Sequence, residues 1–304
     1  MKEKIINKSL SIGIDLIGFC SPDTDDLKNK LKLSAKFNYD CGFKKGSIDE
    51  ICSPDKILPS VKTVISFAIK YPNTCEKLEN LKNEEVYFSP SSWGMDYHVV
   101  LRSKAIELME YVKTLNSELE YVIEIDNGYM DDRYFAYKCG IGFYGMNNLI
   151  INPTYGSYIF LGTILTNLEI IHDFPLEITC TSCMKCINSC PSKAIEIGKP
   201  LNQKVCLSYI KSKKDDLTIE EVALLDSCIY GCDICQKVCR YNKINNKNEV
   251  FSPSGIEFID VLAYENMSNK EFKKKYGHLS GSWRGKKIIE RNIEKAKTKI
   301  ADKK

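Results

Sequence analysis

Two runs of cysteine in the second half of this 304-residue chain constrain its fold more than any other feature. Nine of the fourteen cysteines fall within residues 180–239. The first run has the spacing C-x2-C-x2-C-x3-C and is followed by proline; its members are Cys180, Cys183, Cys186 and Cys190. The second run has the spacing C-x3-C-x2-C-x3-C; its members are Cys228, Cys232, Cys235 and Cys239. So many thiols in one short segment predict a metal-binding module.

The first run is the pattern of bacterial ferredoxins, which bind 4Fe-4S clusters. In that pattern the first three thiolates hold one cluster and the fourth reaches a neighbouring cluster. We therefore predict two clusters with interleaved ligands, which makes the protein an electron-transfer oxidoreductase. The ligands of the first cluster are Cys180, Cys183, Cys186 and Cys239. The second cluster takes Cys190, Cys232 and Cys235 plus one more, for which Cys206 and Cys228 compete.

A zinc ribbon is the alternative interpretation of clustered cysteines. Zinc ribbons use pairs of C-x2-C, and they do not need a third and a fourth cysteine at this spacing followed by proline. The pattern therefore favours iron–sulfur clusters. The other cysteines are scattered and are expected to be small buried hydrophobic residues or incidental thiols; they are Cys20, Cys41, Cys52, Cys75 and Cys139.

The composition is that of an ordinary globular protein, with 43% hydrophobic and 27% charged residues and a formal net charge of +3. This charge is too small to indicate a nucleic-acid partner by itself. No apolar run approaches the ~20 residues of a membrane-spanning helix, and the N-terminal segment lacks the continuous apolar stretch of a signal peptide. We expect a cytoplasmic protein with no membrane partner, where thiols stay reduced.

The chain divides into three predicted segments: an α/β domain over residues 1–175, the ferredoxin-like double-cluster module over 176–245, and a short helical C-terminal tail over 246–304. Apolar periodicity predicts helices and runs of β-branched residues predict strands. The predicted helices are 4–11, 25–35, 96–113, 131–139, 269–276 and 286–297. The predicted strands are 61–69, 121–125, 149–152 and 158–166. Strands that alternate with helices indicate an α/β (α+β) arrangement of helices on a sheet.

From about residue 58 to residue 296, the chain resembles the epoxyqueuosine reductases, a cobalamin-dependent family that completes queuosine biosynthesis in the tRNA anticodon. Each shared piece is short, but their order and separations are specific. The pieces are Asp96-Tyr-His98, Asp126 after a strand, Gly140-Ile-Gly-Phe-Tyr-Gly-Met-Asn147, Phe160-Leu-Gly162, Cys206-Leu-Ser-Tyr209, Gly231-Cys-Asp-Ile-Cys235, Gly281-Ser-Trp-Arg284 and Arg291-Asn292.

The resemblance implies that the first domain holds a base-off cobalamin, whose cobalt works beside the two clusters. It also favours Cys206 over Cys228 as the last cluster ligand. Asp126 matches the proton donor of the family, and burial after an apolar strand is expected to raise its pKa and keep it protonated. The residues implied to contact cobalamin are Tyr97, His98, Asp126 and Asn147. The alternatives are a turn-capping role for Asp126, a capping or surface role for His98 and a turn role for Asn147.

For tRNA, basic residues near the clusters are the predicted contacts, namely Lys211, Lys213, Lys214 and Arg240, with a second basic group at Arg284, Lys286 and Lys287. A solvated lysine face is the alternative for each of them. The expected enzyme is a monomer that reduces epoxyqueuosine to queuosine at the wobble position of tRNA, fed by an external low-potential electron donor. The competing functions are a corrinoid reductive dehalogenase-like enzyme and a non-catalytic ferredoxin-type electron carrier.

Overall fold

The computed structural model of the chain describes residues 1–43 and 45–301, so residues 302–304 of the predicted tail lie outside the described part. The helices are α1 (Lys2–Ser11), α2 (Asp25–Lys36), α3 (Ile48–Ile51), α4 (Pro54–Ile57), α5 (Glu76–Glu79), α6 (Tyr97–Leu115), α7 (Asp132–Lys138), α8 (Lys185–Ser189), α9 (Leu207–Ser212), α10 (Ile219–Leu224), α11 (Ile234–Lys237), α12 (Asn269–Tyr276) and α13 (Lys286–Ala301). The strands are β1 (Leu16–Cys20), β2 (Thr63–Lys70), β3 (Glu85–Phe88), β4 (Tyr121–Glu124), β5 (Phe143–Tyr144), β6 (Ile150–Ile151), β7 (Ile159–Thr166), β8 (Cys228–Tyr230) and β9 (Phe258–Asp260).

A four-stranded sheet with the order β1-β2-β7-β4 forms the centre of the first 175 residues. All three neighbouring pairs of strands are antiparallel, so this part of the chain is of the α+β type. Alternation of strands and helices along the sequence does not fix strand direction, because a helix can also return the chain to the opposite end of the sheet. Within the described residues, no helix is both long and apolar enough to cross a membrane.

Both faces of this sheet are covered by helices. On β2, Ile65, Phe67 and Ile69 point to one core, which they share with buried residues of α1 and α6. Val64 and Ala68 point to the other core, together with buried residues of α2 and α7. Side chains of a strand alternate between the two faces of a sheet, so an uninterrupted apolar run is what a strand covered on both sides requires.

A second sheet joins the three predicted segments to one another. Its central strand β3 pairs in parallel with β8 of the cysteine-rich segment and antiparallel with β9 of the tail. Val86 and Phe88 of β3 share a buried core with Ile229 and with Ile289 and Ile293 of α13. The tail therefore packs against the strand that precedes the His98 region and against the strand that leads to Cys232.

All of the predicted helices and strands are present at nearly the predicted bounds, which confirms these predictions. Five short strands were not predicted, namely β1, β3, β5, β9 and, within the cysteine module, β8. Strands of two to five residues carry too few alternations to be recognised by periodicity. Three of them also pair with segments far away in the chain, so their existence depends on tertiary contacts.

Candidate functional site

The first cysteine group surrounds one cavity, which is lined by Cys180, Cys183, Cys186 and Cys239. The Cys239 thiol is close enough to those of Cys180 and Cys183 for their charges to interact. The same holds for Cys186 with Cys180 and Cys239. Ser182 and Met184 adopt left-handed backbone conformations, with φ of 50° and 63°. Such residues curl the chain sharply, which lets neighbouring thiols face one centre. These are the four cysteines that the spacing predicts for one cluster.

The second group consists of Cys190, Cys206, Cys232 and Cys235. Cys206 lies within electrostatic reach of Cys190, and Cys235 lies within reach of Cys232 and Cys206. Cys190, Cys206 and Cys235 also belong to one apolar cluster, which includes Ala194 and Ile195. An apolar shell with little water is a setting that helps to determine the reduction potential of an iron–sulfur cluster.

Cys228, the competitor of Cys206 for the last ligand position, has protein partners of its own. It is buried in β8, and its Sγ donates to the carbonyl oxygens of Tyr230 at 3.1 Å and Gly231 at 3.6 Å. It lies within electrostatic reach of Cys232 but is not in the apolar cluster that surrounds Cys190. This arrangement favours Cys206 as the ligand, and the assignment stays a prediction.

The predicted proton donor, Asp126, lies beside Asp96 and His98 at the start of α6. The Asp96 side chain caps this helix, with Oδ1 2.9 Å from the backbone N of His98 and 2.7 Å from its Nδ1. The other ring nitrogen, Nε2, lies 3.1 Å from Oδ2 of Asp126. The ring is thus held between two carboxylates. The ring of Tyr97 stacks on the rings of His98 and Phe160, with centroid distances of 4.0 Å and 4.4 Å. These contacts hold the His98 ring in place.

The pKa values of this cluster favour an ion pair. Burial alone would lower the pKa of His98, but hydrogen bonds to Asp126 and Asp96 raise it to about 9. Burial alone would raise the pKa of Asp126, but the hydrogen bond and charge of His98, with the hydroxyl of Tyr97, bring it below its ordinary value. The expectation that burial raises the pKa of Asp126 and keeps it protonated is therefore wrong for this arrangement: the pKa shifts favour the proton on His98, because an imidazolium beside a carboxylate outweighs the effect of burial.

Two carboxylates hold the loop that carries Asp126 by accepting hydrogen bonds from its backbone. Asp126 has a left-handed φ of 54°, and its backbone N donates to Oδ2 of Asp132 at 2.8 Å. Oε2 of Glu124 accepts from the backbone N of Tyr129 at 2.7 Å. A Cβ on Gly128 would stand 1.6 Å from this same oxygen, so a larger residue there would displace the Glu124 carboxylate. These contacts determine where the Asp126 carboxylate points.

Asp132 is half-buried and its other oxygen, Oδ1, accepts from the hydroxyl of Thr163 in β7. Burial, together with the negative charges of Asp126 and Asp131, raises the pKa of Asp132 to about 7. The sequence analysis missed this residue, because its role depends on a contact to the backbone of Asp126 that spacing does not reveal. Asp132 anchors the loop to the central sheet.

Tyr230 is a second residue that the sequence analysis missed. It stands two residues before Cys232, and burial raises its pKa to about 12, with the negative charges of Asp126 and Asp96 acting in the same direction. Its hydroxyl accepts from the indole N–H of Trp283 at 3.0 Å. Tyr230 thus connects the proton-donor residues with the second cysteine group.

Asn147 lies at the cysteine groups. Its side chain is 4% exposed, lines the cavity of the first group and hydrogen-bonds the thiol of Cys235 in the second. Its observed contacts are therefore with both sets of cysteines. A role toward cobalamin, which the resemblance implies for Asn147, stays a prediction.

Lys211 corrects the predicted RNA surface. It is completely buried, with its Nζ 2.8 Å from Oδ1 of Asp226, and it lies within electrostatic reach of Cys228 and Cys232. A buried ammonium cannot meet a phosphate at the surface, so Lys211 is removed from the candidate contacts. Of the other cations predicted to contact RNA, Lys213 forms an ion pair with Glu221 at 2.6 Å, whereas Lys214 and Arg240 are exposed.

Two four-cysteine groups and an adjoining acid–base pair define an iron–sulfur oxidoreductase. Residues 179–242 match the family described as 4Fe-4S double cluster binding domain, which confirms the predicted clusters. Residues 52–127 match the family described as Epoxyqueuosine reductase QueG, DUF1730. A curated relative from Bacillus subtilis (strain 168), an epoxyqueuosine reductase, is 37% identical over 96% of this chain and 77% of its own length.

Two solved structures are similar over nearly the whole chain. An epoxyqueuosine reductase with an epoxyqueuosine-modified tRNA-Tyr stem loop is 37% identical, with a TM-score of 0.94 over 99% of this chain and 82% of that one. The Bacillus subtilis enzyme, solved with an aspartate catalytic loop swung out of its active site, is 36% identical, with a TM-score of 0.92 over 99% and 82%. This chain belongs to the epoxyqueuosine reductase family, which confirms the resemblance.

Proposed function

We propose that this chain reduces epoxyqueuosine to queuosine at the wobble position of a tRNA anticodon. The observation that carries the proposal is the Asp126–His98 pair, whose carboxylate acts on Tyr230, two residues before Cys232 of the second cysteine group. Proton and electron donors are both needed, because conversion of an epoxide to an alkene and water consumes two electrons and two protons. The family relative that holds an epoxyqueuosine-modified stem loop supports this choice of substrate.

The two cysteine groups fit 4Fe-4S clusters, since each supplies four thiols. When bound, such clusters supply electrons one at a time at potentials of roughly −400 mV. An external low-potential donor would recharge them. Asn147, which touches both groups, holds the Cys235 thiolate in place.

The residues at Asp126 fit a base-off cobalamin. Both ring nitrogens of His98 are held by carboxylates, so this histidine is not offered to the cobalt, and the Asp126 side chain remains 53% exposed. Tyr97, His98 and Asp126 would hold the cofactor. When bound, cobalamin supplies the strongly reducing cobalt chemistry that an epoxide requires.

This chain's own residues supply the proton. The exposed Asp126 carboxylate faces the substrate, while His98 behind it stores a proton up to about pH 9. As the epoxide oxygen gains negative charge, one of the two protons passes from His98 through Asp126 to that oxygen, and solvent supplies the second, so that the oxygen leaves as water. Tyr97 keeps the imidazolium stacked in line, and the carboxylate of Asp96 holds its other nitrogen.

For RNA contacts, Lys214, Arg240 and Lys287 are the exposed cations of the predicted set.

Turnover is expected to fall as the pH rises through about 9, because His98 then loses the stored proton. A raised pKa means that the protonated form is fully populated well below that value and is lost above it. A kcat profile from pH 7 to 10 should decline about tenfold per unit above the break. His98→Asn should remove the break, whereas His278→Asn should keep it; a break that persists in His98→Asn contradicts the role of His98.

Asp132→Ala is expected to reduce kcat about tenfold, the value of one hydrogen bond. Alanine leaves both the backbone N of Asp126 and the Thr163 hydroxyl without their acceptor. Thr163→Val is the matched control, since it removes the second contact and leaves the first. Single-turnover kinetics check the prediction, and an Asp132→Ala enzyme as fast as the unmodified one would exclude the anchoring role.

The direct test of the function uses anaerobically reconstituted protein with cobalamin and tRNA that contains epoxyqueuosine. Mass spectrometry of the digested nucleosides should detect queuosine when a low-potential reductant is present. An electron carrier would transfer electrons to a partner protein but form no queuosine. A dehalogenase-like enzyme would instead release halide from an aryl halide and leave the tRNA unchanged.

A further inference from the structure

We propose that Phe43, Trp283 and Arg284 form a stacking platform for a splayed nucleotide of the anticodon loop, next to the nucleotide that is reduced. The inference rests on the proposed function, because it takes single-stranded RNA as the ligand. None of these residues belongs to the cysteine groups or to the acid–base pair. We refer to the three side chains as the aromatic platform.

The two rings of the aromatic platform are exposed although they contact each other. Trp283 is 55% exposed and Phe43 is 41% exposed, and their ring centroids lie 5.8 Å apart in an edge-to-face arrangement. Tyr209, three residues after Cys206, packs its ring against Phe43 at 5.3 Å. Single exposed hydrophobic residues are common, but two large rings exposed together mark a contact surface.

Arg284 adds a positive charge to the aromatic platform. Its guanidinium carbon lies 3.9 Å from the ring centroid of Trp283 and 5.2 Å from that of Phe43. Among the residues that the structure describes, Arg284 forms no ion pair, whereas Lys286, two residues further on, is paired with Glu290 at 3.0 Å. A guanidinium held against aromatic rings suits stacking with a base.

The aromatic platform adjoins the proposed active site. The indole N–H of Trp283 donates to the hydroxyl of Tyr230, and Tyr230 lies within the electrostatic reach of both Asp126 and Arg284. A nucleotide whose neighbour enters the site at Asp126 would therefore pass over these rings. The platform is also built from two separate parts of the chain, which a stacked base would hold together.

Single-stranded RNA is the ligand class that this chemistry fits. Proteins recognise unpaired loop nucleotides by stacking the bases on aromatic rings and arginine planes, with cations on the phosphates. Stacking of this kind does not depend on base identity. The aromatic platform would thus provide affinity for the loop, while the site at Asp126 selects the modified base.

The test measures binding of a fluorescent tRNA anticodon stem loop to the reconstituted full-length enzyme. Because the stem loop carries unmodified guanosine at the wobble position, binding is separated from turnover. Trp283→Ala should weaken the Kd 10- to 100-fold, the effect of losing one stacked base. Trp283→Phe should retain most of the affinity. Phe174→Ala, which removes a ring that is 81% exposed elsewhere, should leave the Kd unchanged.

Two further readouts keep the outcomes distinct. A hairpin with the same stem and a compact tetraloop should bind equally to the Trp283→Ala and unmodified enzymes, because its bases are not splayed. Cobalamin and iron content should be equal in both. The proposal is overturned if Trp283→Ala binds the stem loop normally, or if it loses cobalamin instead of RNA affinity. If the affinity falls as expected but the unmodified enzyme forms no queuosine from the native substrate, the proposed function is contradicted and the aromatic platform is supported.

Discussion

Asp126→Asn should lower the rate of epoxyqueuosine reduction by about 10²- to 10⁴-fold, the range for loss of a positioned acid. Asparagine has the shape of aspartate, and it is among the few residues that tolerate the left-handed φ of 54° at this position. The anchor from Asp132 to the backbone N is unaffected by the change. The amide oxygen can still accept from His98. The variant therefore retains the architecture and loses only a group that can pass on a proton.

The measurement is single-turnover conversion with enzyme in excess, followed by mass spectrometry of the nucleosides. Iron content, cobalamin content and stem-loop affinity should equal those of the unmodified enzyme, which attributes the loss to chemistry. Asn127→Ala is the matched control. The side-chain Nδ2 of Asn127 lies 3.2 Å from Nε2 of His98, but an amide is not an acid that can pass a proton to the substrate. It should stay within tenfold of the unmodified rate. An Asp126→Asn enzyme that remains within tenfold would exclude Asp126 as the proton donor.

The second large effect is expected from Cys206→Ala, which should reduce the iron content from about eight to about four atoms per chain, since each cluster holds four. Cys206 lies within reach of Cys190, Cys232 and Cys235, so its loss opens the second group. Cys228→Ala is the matched control, because this thiol is buried nearby and donates to backbone carbonyls. It should keep about eight iron atoms.

Iron and acid-labile sulfide assays, with EPR of the reduced protein, measure this effect. Cys206→Ala should retain the signal of one isolated cluster and lose the signs of interaction between two. Turnover should disappear with it, because the electron path to the site at Tyr230 is interrupted. The opposite pattern, with iron lost from Cys228→Ala and retained in Cys206→Ala, would exchange the roles of the two cysteines.

The cysteine groups could be predicted because their information is local. Spacing within each run determines which thiols face one centre, and proline fixes the exit of the chain. The first group in the structure is the one that the ferredoxin pattern implies. In the second group the pattern left Cys206 and Cys228 open, and the family resemblance favoured Cys206, which lies near Cys190 and Cys235. Long periodic helices and strands, such as α6 and β7, were found for the same reason: their repeats extend over many residues.

The residues that escaped prediction, or were assigned wrongly, depend on distant partners. The protonation of Asp126 is determined by His98, 28 residues earlier. Lys211 looks like part of an exposed lysine run, yet Asp226 draws it into the interior. Phe43 meets Trp283 although more than half of the chain separates them. Neither composition nor spacing records such contacts, because they arise only when the sheets and the tail have assembled.

The most direct test of the account follows the clusters and the substrate in one experiment. Anaerobic enzyme, loaded with iron, sulfide and cobalamin, is reduced, freed of excess reductant and mixed with epoxyqueuosine-containing tRNA in a stopped-flow spectrometer. We expect the visible absorbance of the oxidised clusters to return as queuosine forms. With the Asp126→Asn enzyme we expect neither the return of this absorbance nor the formation of queuosine. A protein that holds zinc instead of iron, or reduced clusters that remain reduced while the substrate is present, would contradict it.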